Sequence, residues 1–510
     1  MSIPIIDLFA GPGGLGEGFT SVTKKNGGSF FDIKLSIEKD KNAHKTLTWR
    51  SFYRQFKKNN KIIPQSYYDV LYEKDINVRE EMIEEVLSKY KEGDIAKNES
   101  RLVELGSDRW PSDKVDKLIK KQLGNKKKWV LIGGPPCQAY SNVGRSRVGG
   151  IRNDDHRVYL YEEYLRIIKK HSPTIFVMEN VKGLLSAKVN DEFVFDWIKR
   201  DLKVDGEYTI HSFVKPVKED KDFLIKSELF GIPQKRHRVI ILGIRRDIKF
   251  NQNFLQEKPK ISIYSAISDL PKIRSKLNRK FIRHDNQKKI GSAIPKRIYE
   301  RVEDSQDLWE KLFEDNINKI NSWNDFSRMG KNHIKSKNLQ IGSEFLKTKI
   351  TPKESELKDW YFDKKLNGAC NHSSRSHLTQ DLLRYLFSTI YAKKFNVSPK
   401  LSDFENYSAE LLPDHANAAS GKFIDRFKVQ VKDDFSSTIT SHISKDGHYF
   451  IHYDPAQCRS ISVREAARIQ TFPDNYLFRG PRTSQYHQVG NAVPPYLAYQ
   501  IGLIVKEILI

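Results

Sequence analysis

The chain has 510 residues, of which 38% are hydrophobic. This is more than one ordinary domain requires and enough to bury a large core, which excludes a disordered protein. The 88 Lys and Arg against 64 Asp and Glu give a formal charge of +24, so a polyanion such as nucleic acid is a natural partner, although a well-solvated basic surface has the same composition. Three cysteines cannot form a disulfide framework and favour a reduced, intracellular setting. No apolar run approaches the length of a membrane span, and Asp7 interrupts the apolar start, which argues against a signal peptide.

The first half of the chain reads as strands that alternate with helices. Between the apolar runs lie helical patterns such as Val158 to Ile168. Alternation of this kind is typical of a mainly parallel sheet that is covered on both faces. Short runs rich in branched residues predict the strands at Ile3 to Ile6, Ile33 to Ile37, Trp129 to Ile132, Ile175 to Met178 and Val239 to Leu242.

The sequence changes character at about Pro271. Residues 272–300 contain ten Lys or Arg and two Asp or Glu, a local charge of 10 − 2 = +8, and polar sequence of weak periodicity continues to about residue 430. Beyond it, Asp446-Gly447 between β-rich runs predicts a hairpin. A helix is predicted at Val463 to Gln470, and another after Pro494 and Pro495. The simplest layout is an α/β domain at 1–265, a basic inserted domain at about 266–430, and a return segment at 431–510 that completes the first domain.

A glycine-rich turn separates the first predicted strand from a helix. Gly11, Gly13 and Gly16 have the spacing G-x-G-x-x-G, which lets a ligand approach the backbone at a helix N-terminus. Glu38 follows the second strand at a suitable distance to accept hydrogen bonds from ribose hydroxyls. The pattern alone fits a dinucleotide as well as S-adenosylmethionine, and a lone glycine pattern is often only a turn.

A second turn follows the strand at Trp129 to Ile132. There the chain runs Gly-Gly-Pro-Pro-Cys, so that Cys137 lies where open α/β sheets bind their ligands. The glycines permit close approach of a flat substrate, and the prolines stiffen the turn. Most free cysteines are small buried hydrophobic residues, but that reading explains this turn poorly.

Residues 134–138, Gly-Pro-Pro-Cys-Gln, resemble the nucleophile motif of the DNA (cytosine-5)-methyltransferases, and Asp7 to Gly16 resembles the cofactor loop of that family. The resemblance covers most of residues 1–265 and 430–510. It implies an α/β fold of the class I S-adenosylmethionine-dependent methyltransferases, Rossmann-like, with a mostly parallel sheet that has one antiparallel strand, plus a smaller target-recognition domain. The family's order continues in Ile175 to Val181, Pro233 to Gly243, Arg464 to Asp474 and Gln488 to Pro495.

The resemblance also implies the chemistry, which is sequence-specific methylation of carbon 5 of a flipped-out cytosine. Cys137 would add to carbon 6 of the base, because carbon 5 is too weak a nucleophile without that addition. Glu179 would bond N3 and the exocyclic amine, and Arg238 the base oxygen. Arg236 would brace the site, with an ordinary ion pair as the alternative. The strand of the two arginines must run antiparallel to reach the edge that holds Cys137.

By resemblance, S-adenosylmethionine is the methyl donor and S-adenosylhomocysteine the product. Phe9 would stack on the adenine, and Asp94 would contact its amine. The stretch Ser141 to Asp155 resembles a mobile loop that closes over the substrate. The residues expected at the cofactor are Phe9, Gly11, Gly13, Gly16, Glu38, Asp94, Pro135, Asn491 and Val493, and those expected at DNA are Gln138, Ser141, Arg145 and Arg157.

Double-stranded DNA is the expected partner, and no membrane is expected. We expect a monomer in a bacterial cytoplasm, associated with the nucleoid through DNA and paired with a restriction endonuclease that reads the same site without a stable complex. No metal is expected, because Cys370, His372 and His377 match no standard site. Arg464 and Arg468 are expected to be scaffold between the domains.

Three other functions fit parts of the sequence. A tRNA cytosine-5 methyltransferase has similar motifs, but the large basic insertion favours DNA. A non-catalytic DNA-binding relative would keep the fold, but it would not need Cys137, Glu179 and Arg238 together. A nicotinamide dehydrogenase would use the glycine loop, but the Pro-Pro-Cys turn has no role there.

Overall fold

The structure is a computed structural model that describes residues 2–25, 27–136, 156–189, 191–288, 295–323, 338–353, 355–413 and 427–510. The strands are β1 Ile3–Leu8, β2 Phe31–Glu38, β3 Ser100–Leu102, β4 Val130–Gly133, β5 Ile175–Val181, β6 Lys188–Val189, β7 Glu192–Phe193, β8 Tyr208–Ser212, β9 Leu224–Lys226, β10 His237–Arg245, β11 Lys276–Lys288, β12 Pro295–Arg301, β13 Gly342–Lys347, β14 Gly368–Ser373 and β15 Ser376–Leu378. The α-helices are α1 Gly14–Thr20, α2 Lys41–Lys57, α3 Gln65–Tyr72, α4 Ile76–Lys89, α5 Lys91–Glu99, α6 Ser112–Leu123, α7 His156–His171, α8 Val194–Leu202, α9 Ile263–Ile267, α10 Gln306–Asn321, α11 Lys358–Tyr361, α12 Thr379–Phe395, α13 Leu401–Tyr407, α14 Val463–Ile469, α15 Arg482–Asn491 and α16 Pro495–Leu509.

The main sheet has the strand order β3-β2-β1-β4-β5-β10-β8, and β9 pairs with β10 as well. The pairs from β3 to β5 are parallel. β10 is antiparallel to β5, β8 and β9, which confirms the prediction of a mostly parallel sheet with one antiparallel strand. The strand order reverses beside β1, and ligands of open α/β sheets bind outside the carboxyl ends of the strands at that point.

The sheet is buried on both faces. Ile5 and Val177 belong to one hydrophobic core, which α1 and α16 cover. Ile6 and Met178 belong to the opposite core, which α6, α7 and α8 cover. Because both faces are buried, these strands are almost continuously apolar, as the sequence indicated. Leu497 and Ile501 of α16 complete the first core, so the end of the chain packs on its beginning.

A separate three-stranded sheet, β12-β11-β15, lies in the basic region. Its core contains Leu277, Trp309 and Leu386, from β11, α10 and α12. The β13–β14 hairpin packs elsewhere: Phe345 and Cys370 belong to the core of the long helical segment α2–α5. The basic region therefore contacts an N-terminal segment that no sequence motif linked to it.

The hairpin predicted at Asp446-Gly447 is wrong. Ser441–Ser444 is a short 3-10 helix, and within residues 427–510 no strand flanks residues 446–447. The Asp446 side chain accepts the His448 N–H, which forms a local turn without paired strands. The β-rich run before it pairs elsewhere, since the Ser436 N–H donates to the Pro233 carbonyl. None of the described helices is long and apolar enough to cross a membrane.

Candidate active site at the carboxyl edge of the sheet

The carboxyl ends of β1, β2, β4 and β5 meet at one edge. Leu8 is in register with Ile37 and with Gly133, and Gly133 is in register with Met178. The glycine loop, Glu38, the Pro-Pro turn and Glu179 each come directly at or after these positions in the chain. The parallel sheet therefore brings the glycine loop, Glu38, the Pro-Pro turn and Glu179 to one edge.

Glu179 and Arg238 form the charged centre of this edge. The Arg238 Nε lies 2.9 Å from the Glu179 Oε1, and both side chains are about five-sixths buried. The antiparallel register sets Arg238 opposite Val181, so the arginine reaches Glu179 diagonally on the same face of the sheet. A carboxyl group and a guanidinium thus lie side by side at a partly open edge, where a bound base could use both.

The Pro-Pro turn is held against this pair. A Cβ atom added at Gly134 would lie 2.9 Å from the Glu179 Oε2, so any side chain there would displace the carboxylate. The Asn180 Nδ2 donates to the Pro135 carbonyl at 3.2 Å, and the Asn180 Oδ1 accepts the Val181 N–H at 2.8 Å. These contacts fix the start of the turn relative to Glu179. The sequence analysis gave Asn180 no role, although a polar amide directly after an apolar strand indicates a residue of the site.

Arg236 precedes β10 and is buried. Its Nη1 donates to the Ile439 carbonyl at 2.7 Å and its Nη2 to the Gly490 carbonyl at 3.2 Å. Burial, and then the nearby charge of Arg238, lower the pKa of Arg236 well below its usual range. The side chain joins β10 to the return segment, and these two bonds are contacts of a brace rather than of a surface ion pair.

The glycine loop presents its backbone at the same edge. Phe9 and Gly11 both have φ 57°, a left-handed conformation that turns the chain sharply after β1. The Gly11 N–H donates to the Glu38 Oε2 at 2.7 Å. A Cβ at Gly11 would meet no atom within 4 Å, so the loop faces open space there. This arrangement has the shape that close approach of a nucleoside cofactor requires.

The other loop glycines serve packing. A Cβ at Gly13 would meet Leu47 at 2.8 Å, and one at Gly16 would meet Ile33 at 2.6 Å. Gly13 caps α1 with φ 102°, so it provides the turn while Gly16 lets α1 lie close to β2. Gly14 also packs closely, since a Cβ atom added there would lie only 2.2 Å from the Val493 carbonyl oxygen.

The Glu38 side chain is half-buried, and its carboxylate accepts backbone N–H groups. Besides Gly11, it accepts the N–H of Lys39 at 2.9 Å and of Asp40 at 2.7 Å. Burial nevertheless raises the pKa of Glu38. These three hydrogen bonds fix the carboxylate beside the loop.

Asp7 is a site feature that the sequence did not explain. Its carboxyl is fully buried below the loop, and neither oxygen has a hydrogen-bond partner in the described part of the chain. Burial raises the pKa of Asp7 to about 8, against a lowering by the charge of Arg54. Burial therefore favours the neutral acid form of Asp7.

The structure does not bring Asp94 to this edge. Asp94 is exposed on α5, a helix that precedes β3 and packs along α2. Its neighbour Glu92 pairs with Lys61, beyond the end of α2, whereas the chain reaches the Glu38 edge only with Leu102. The first carboxylate after β3 is Glu104.

The remaining predicted residues divide into three groups. Val493 is buried against the glycine loop, and Asn491 is exposed at the end of α15, where its amide contacts the His487 ring. Cys137, Gln138, Ser141 and Arg145 lie outside the described residues, as does the side chain of Arg157 in the first turn of α7.

Gln234 is a functional candidate that sequence reasoning missed. It is fully buried, and its Nε2 donates to the Ile469 carbonyl and to Gln470 at 3.0 and 2.7 Å. Its Oε1 accepts the Ile439 N–H at 3.0 Å. Gln234 therefore holds the return segment beside Arg236. Gln234 lies in the block Pro233 to Gly243 that resembles the family, but its hydrogen-bond partners are some 200 residues away in the sequence.

The predicted scaffold and structural residues have defined contacts. Arg468 is fully buried between Asp269 and Asp474, at 2.9 and 2.6 Å, and Arg464 donates to the Cys370 carbonyl at 2.9 Å. The His372 ring contacts the Ser462 hydroxyl and the Pro271 carbonyl, both at 2.8 Å. Both ring nitrogens of His372 therefore have hydrogen-bond partners within the protein.

Comparisons with known proteins agree with this geometry. A family model described as C-5 cytosine-specific DNA methylase matches residues 106–507. The type II methyltransferase M.Bpa9945I of Bacillus paralicheniformis is 32% identical over 99% of both chains. A putatively assigned type II methyltransferase of Oceanobacillus iheyensis is 24% identical over 99% of this chain and 95% of its own. The crystal structure of a DNA modification methyltransferase encoded within a prophage (E. coli) superposes with a TM-score of 0.50 at 19% identity, covering 100% and 99% of the two chains, which supports the class I methyltransferase fold. The chain belongs to the C-5 cytosine-specific DNA methylase family and is a DNA (cytosine-5)-methyltransferase.

Proposed function

We propose that the protein methylates carbon 5 of a flipped-out cytosine within one specific DNA sequence, through a covalent adduct with Cys137. The observation that carries the proposal is the convergence of Glu179, Arg238 and the Gly134–Pro136 turn at one sheet edge, beside the glycine loop. Cys137 follows Pro136 directly in the chain, so its thiolate would start from this edge.

In this mechanism the cysteine sulfur adds to carbon 6 of the ring, and the electron pair moves toward N3 and carbon 5. Glu179 would hold a proton at N3, and Arg238 would stabilise charge at the base oxygen. Arg236 would keep the return segment in place. Once carbon 5 carries the methyl group, a base removes the proton there and the sulfur leaves.

S-adenosylmethionine, which members of this family use, supplies an electrophilic methyl group when bound at the glycine loop. The residues fit such a group, because Gly11 faces open space and the half-buried Glu38 carboxylate lies next to it. Phe9, Pro135, Asn491 and Val493 would complete the site, with Gly13 and Gly16 setting the loop. Asp94 is left out of this set because of its position on α5.

We propose residues 266–430 as the target-recognition domain and residues 431–510 as the segment that returns to the catalytic domain. Gln138, Ser141, Arg145 and Arg157 stay predictions as DNA contacts. Because the relatives carry type II methyltransferase names, we further propose that a restriction endonuclease of the same specificity accompanies the protein without a stable complex, and that it works as a monomer at bacterial DNA.

The direct test incubates the purified protein and labelled S-adenosylmethionine with duplex DNA or with tRNA. We expect label in duplex DNA alone, and sequencing of methylated cytosines should find them in one short motif. Label in tRNA alone would contradict the DNA assignment. Cofactor binding without any methylation would favour a non-catalytic relative.

A further inference from the structure

The strands β11 and β12 form a long basic ribbon. β11 has 13 residues, which spans about 43 Å, and only its start pairs with β15, from Lys276 to Arg279. Beyond that point the pairing recorded in the described part of the ribbon is with β12. A two-stranded ribbon of this kind has a width that the DNA major groove accepts.

The register of the ribbon sorts its side chains onto two faces. Arg279 pairs with Arg301 and Phe281 with Tyr299, so these four share one face, and Arg297 follows Tyr299 by two residues. We call these five residues the ribbon face. A bulge after Phe281 makes Arg283 pair with Ile298, which turns Arg283 and Lys280 to the opposite face.

Cations and rings interleave on the ribbon face. The Arg279 guanidinium lies 5.3 Å from the Tyr299 ring centre, and the Phe281 and Tyr299 rings are 6.0 Å apart. No carboxylate of the described chain forms an ion pair with Arg279, Arg297 or Arg301. Such a surface can stack on planar rings and donate to acceptors at the same time.

A cleft of about 110 Å³ opens between the ribbon face and the segment around His448. Tyr299 and Phe281 form one wall, and the Phe427 and His448 rings, 4.9 Å apart, form the other. The cleft is smaller than the cavity of about 150 Å³ that holds benzene, but it is open on one side, so a flat ring can enter it without being fully enclosed. Its walls suit stacking.

Arg297 is one of the polar residues that line the cleft, together with Gln380, Asp381 and Arg384. Its Nε is buried and has no acceptor in the described part of the protein. A buried unpaired donor costs about 1–3 kcal/mol unless a ligand supplies the acceptor. The cleft is also rigid, because the Gln380 amide bonds the Phe281 backbone at both its N–H and its carbonyl, at 3.1 and 2.8 Å.

The cleft is connected to the catalytic edge through one segment. Arg375, next to β15, donates to the Ile443 and Ser444 carbonyls. The same segment begins at Ile439, whose carbonyl accepts the Arg236 guanidinium, and leads on to His448. A base held in the cleft would therefore be coupled in position to the active site.

We propose that this cleft binds one base of the substrate DNA that has left the duplex stack, with the ring stacked on Tyr299 and Phe281 and its edge hydrogen-bonded by Arg297, so that it determines one position of the recognition sequence. The inference rests on the proposed function and identifies the site that recognises one base of the target sequence. An arginine paired with a base edge gives about ten- to a hundredfold discrimination against the wrong base.

The test compares Arg297→Lys with Arg283→Lys, the same substitution on the opposite face of the ribbon. Each protein methylates a randomised duplex library, and the methylated motifs are sequenced. Arg297→Lys should lower discrimination at one position at least tenfold, because lysine keeps the charge but loses the planar pair of donors. Arg283→Lys should keep the wild-type motif, and both should keep the wild-type salt dependence of binding.

Tyr299→Leu is the second variant, with thermal melting to show that it folds. Tyr299→Leu should lower base discrimination at the same position of the motif as Arg297→Lys does. An unchanged motif in both folded variants, or equal relaxation by Arg283→Lys, would overturn the inference while leaving the methyltransferase in place. A wild-type protein that methylates no cytosine in the library would instead overturn the proposed function.

Discussion

A single methyl group at Gly134 should disturb the chemistry and leave the fold intact. In Gly134→Ala the new Cβ would lie 2.9 Å from the Glu179 Oε2, against an ordinary contact of 3.4–4 Å. The carboxylate must therefore move by about 0.5–1 Å, and misplacement of a catalytic group by about 1 Å costs up to a hundredfold in rate. We expect the single-turnover rate to fall about 10- to 100-fold, equivalent to roughly 1.4–2.7 kcal/mol.

Stability should change little, because the atom that yields is the end of a flexible side chain, and affinity for S-adenosylmethionine should stay at the wild-type value. The assay is rapid-quench methylation of a duplex under excess enzyme, with calorimetry for the cofactor and urea unfolding for stability. Gly502→Ala, in α16, is the matched control, because its new Cβ would meet Val22 and Phe19 rather than Glu179, and it should methylate normally. A wild-type rate in Gly134→Ala would refute the claim that Glu179 acts from this fixed position.

Three further substitutions test the surroundings of the site. Asn180→Ala removes the hydrogen bond to the Pro135 carbonyl, so the free energy of unfolding should fall by about 1–3 kcal/mol and the methylation rate at least tenfold. Urea unfolding measures the first effect and turnover the second. An unchanged methylation rate would contradict the role of this bond. Asp7 has a pKa of about 8 in the folded chain and 3.8 in the unfolded one, so wild-type stability contains a term that falls as pH rises from about 4 to 8. Asp7→Asn lacks this term, so the stability of the variant relative to wild type should rise with pH by up to about 1.4 kcal/mol per pH unit. Urea unfolding of both cofactor-free proteins at pH 5, 6.5 and 8 measures this difference in stability. A difference that stays constant with pH would contradict the prediction. Glu38→Ala should weaken S-adenosylmethionine binding about tenfold or more by calorimetry, whereas Asp94→Ala should not change it; the reverse result would restore Asp94 to the site.

The parts of the fold that follow from local sequence were predictable. Apolar runs such as Ile175 to Met178 became central strands because burial on both faces requires continuous hydrophobicity. Since parallel strands share their carboxyl edge, the residues after each strand could be expected to meet. The antiparallel direction of β10 came from a functional argument, the need for Arg236 and Arg238 to reach the edge that holds Cys137.

The errors came from contacts between distant segments. The run before Asp446 has β-forming residues, but its backbone pairs with Pro233 and Lys235, so no hairpin forms. Asp94 stands in a sequence that suits a cofactor contact, yet the helix packing of α5 along α2 removes it from the edge. Gln234 gave no signal, because its importance lies in partners that only the folded chain supplies.

The central claim is a transient bond between the Cys137 sulfur and the ring. Duplex DNA with 5-fluorocytosine at the target position tests it, since fluorine cannot depart as a cation and the adduct persists. We predict a denaturation-resistant complex with the mass of protein plus DNA plus one methyl group, present in wild type and in Cys370→Ala, whose cysteine is buried in the core, and absent in Cys137→Ala. The same complex in Cys137→Ala would contradict the account.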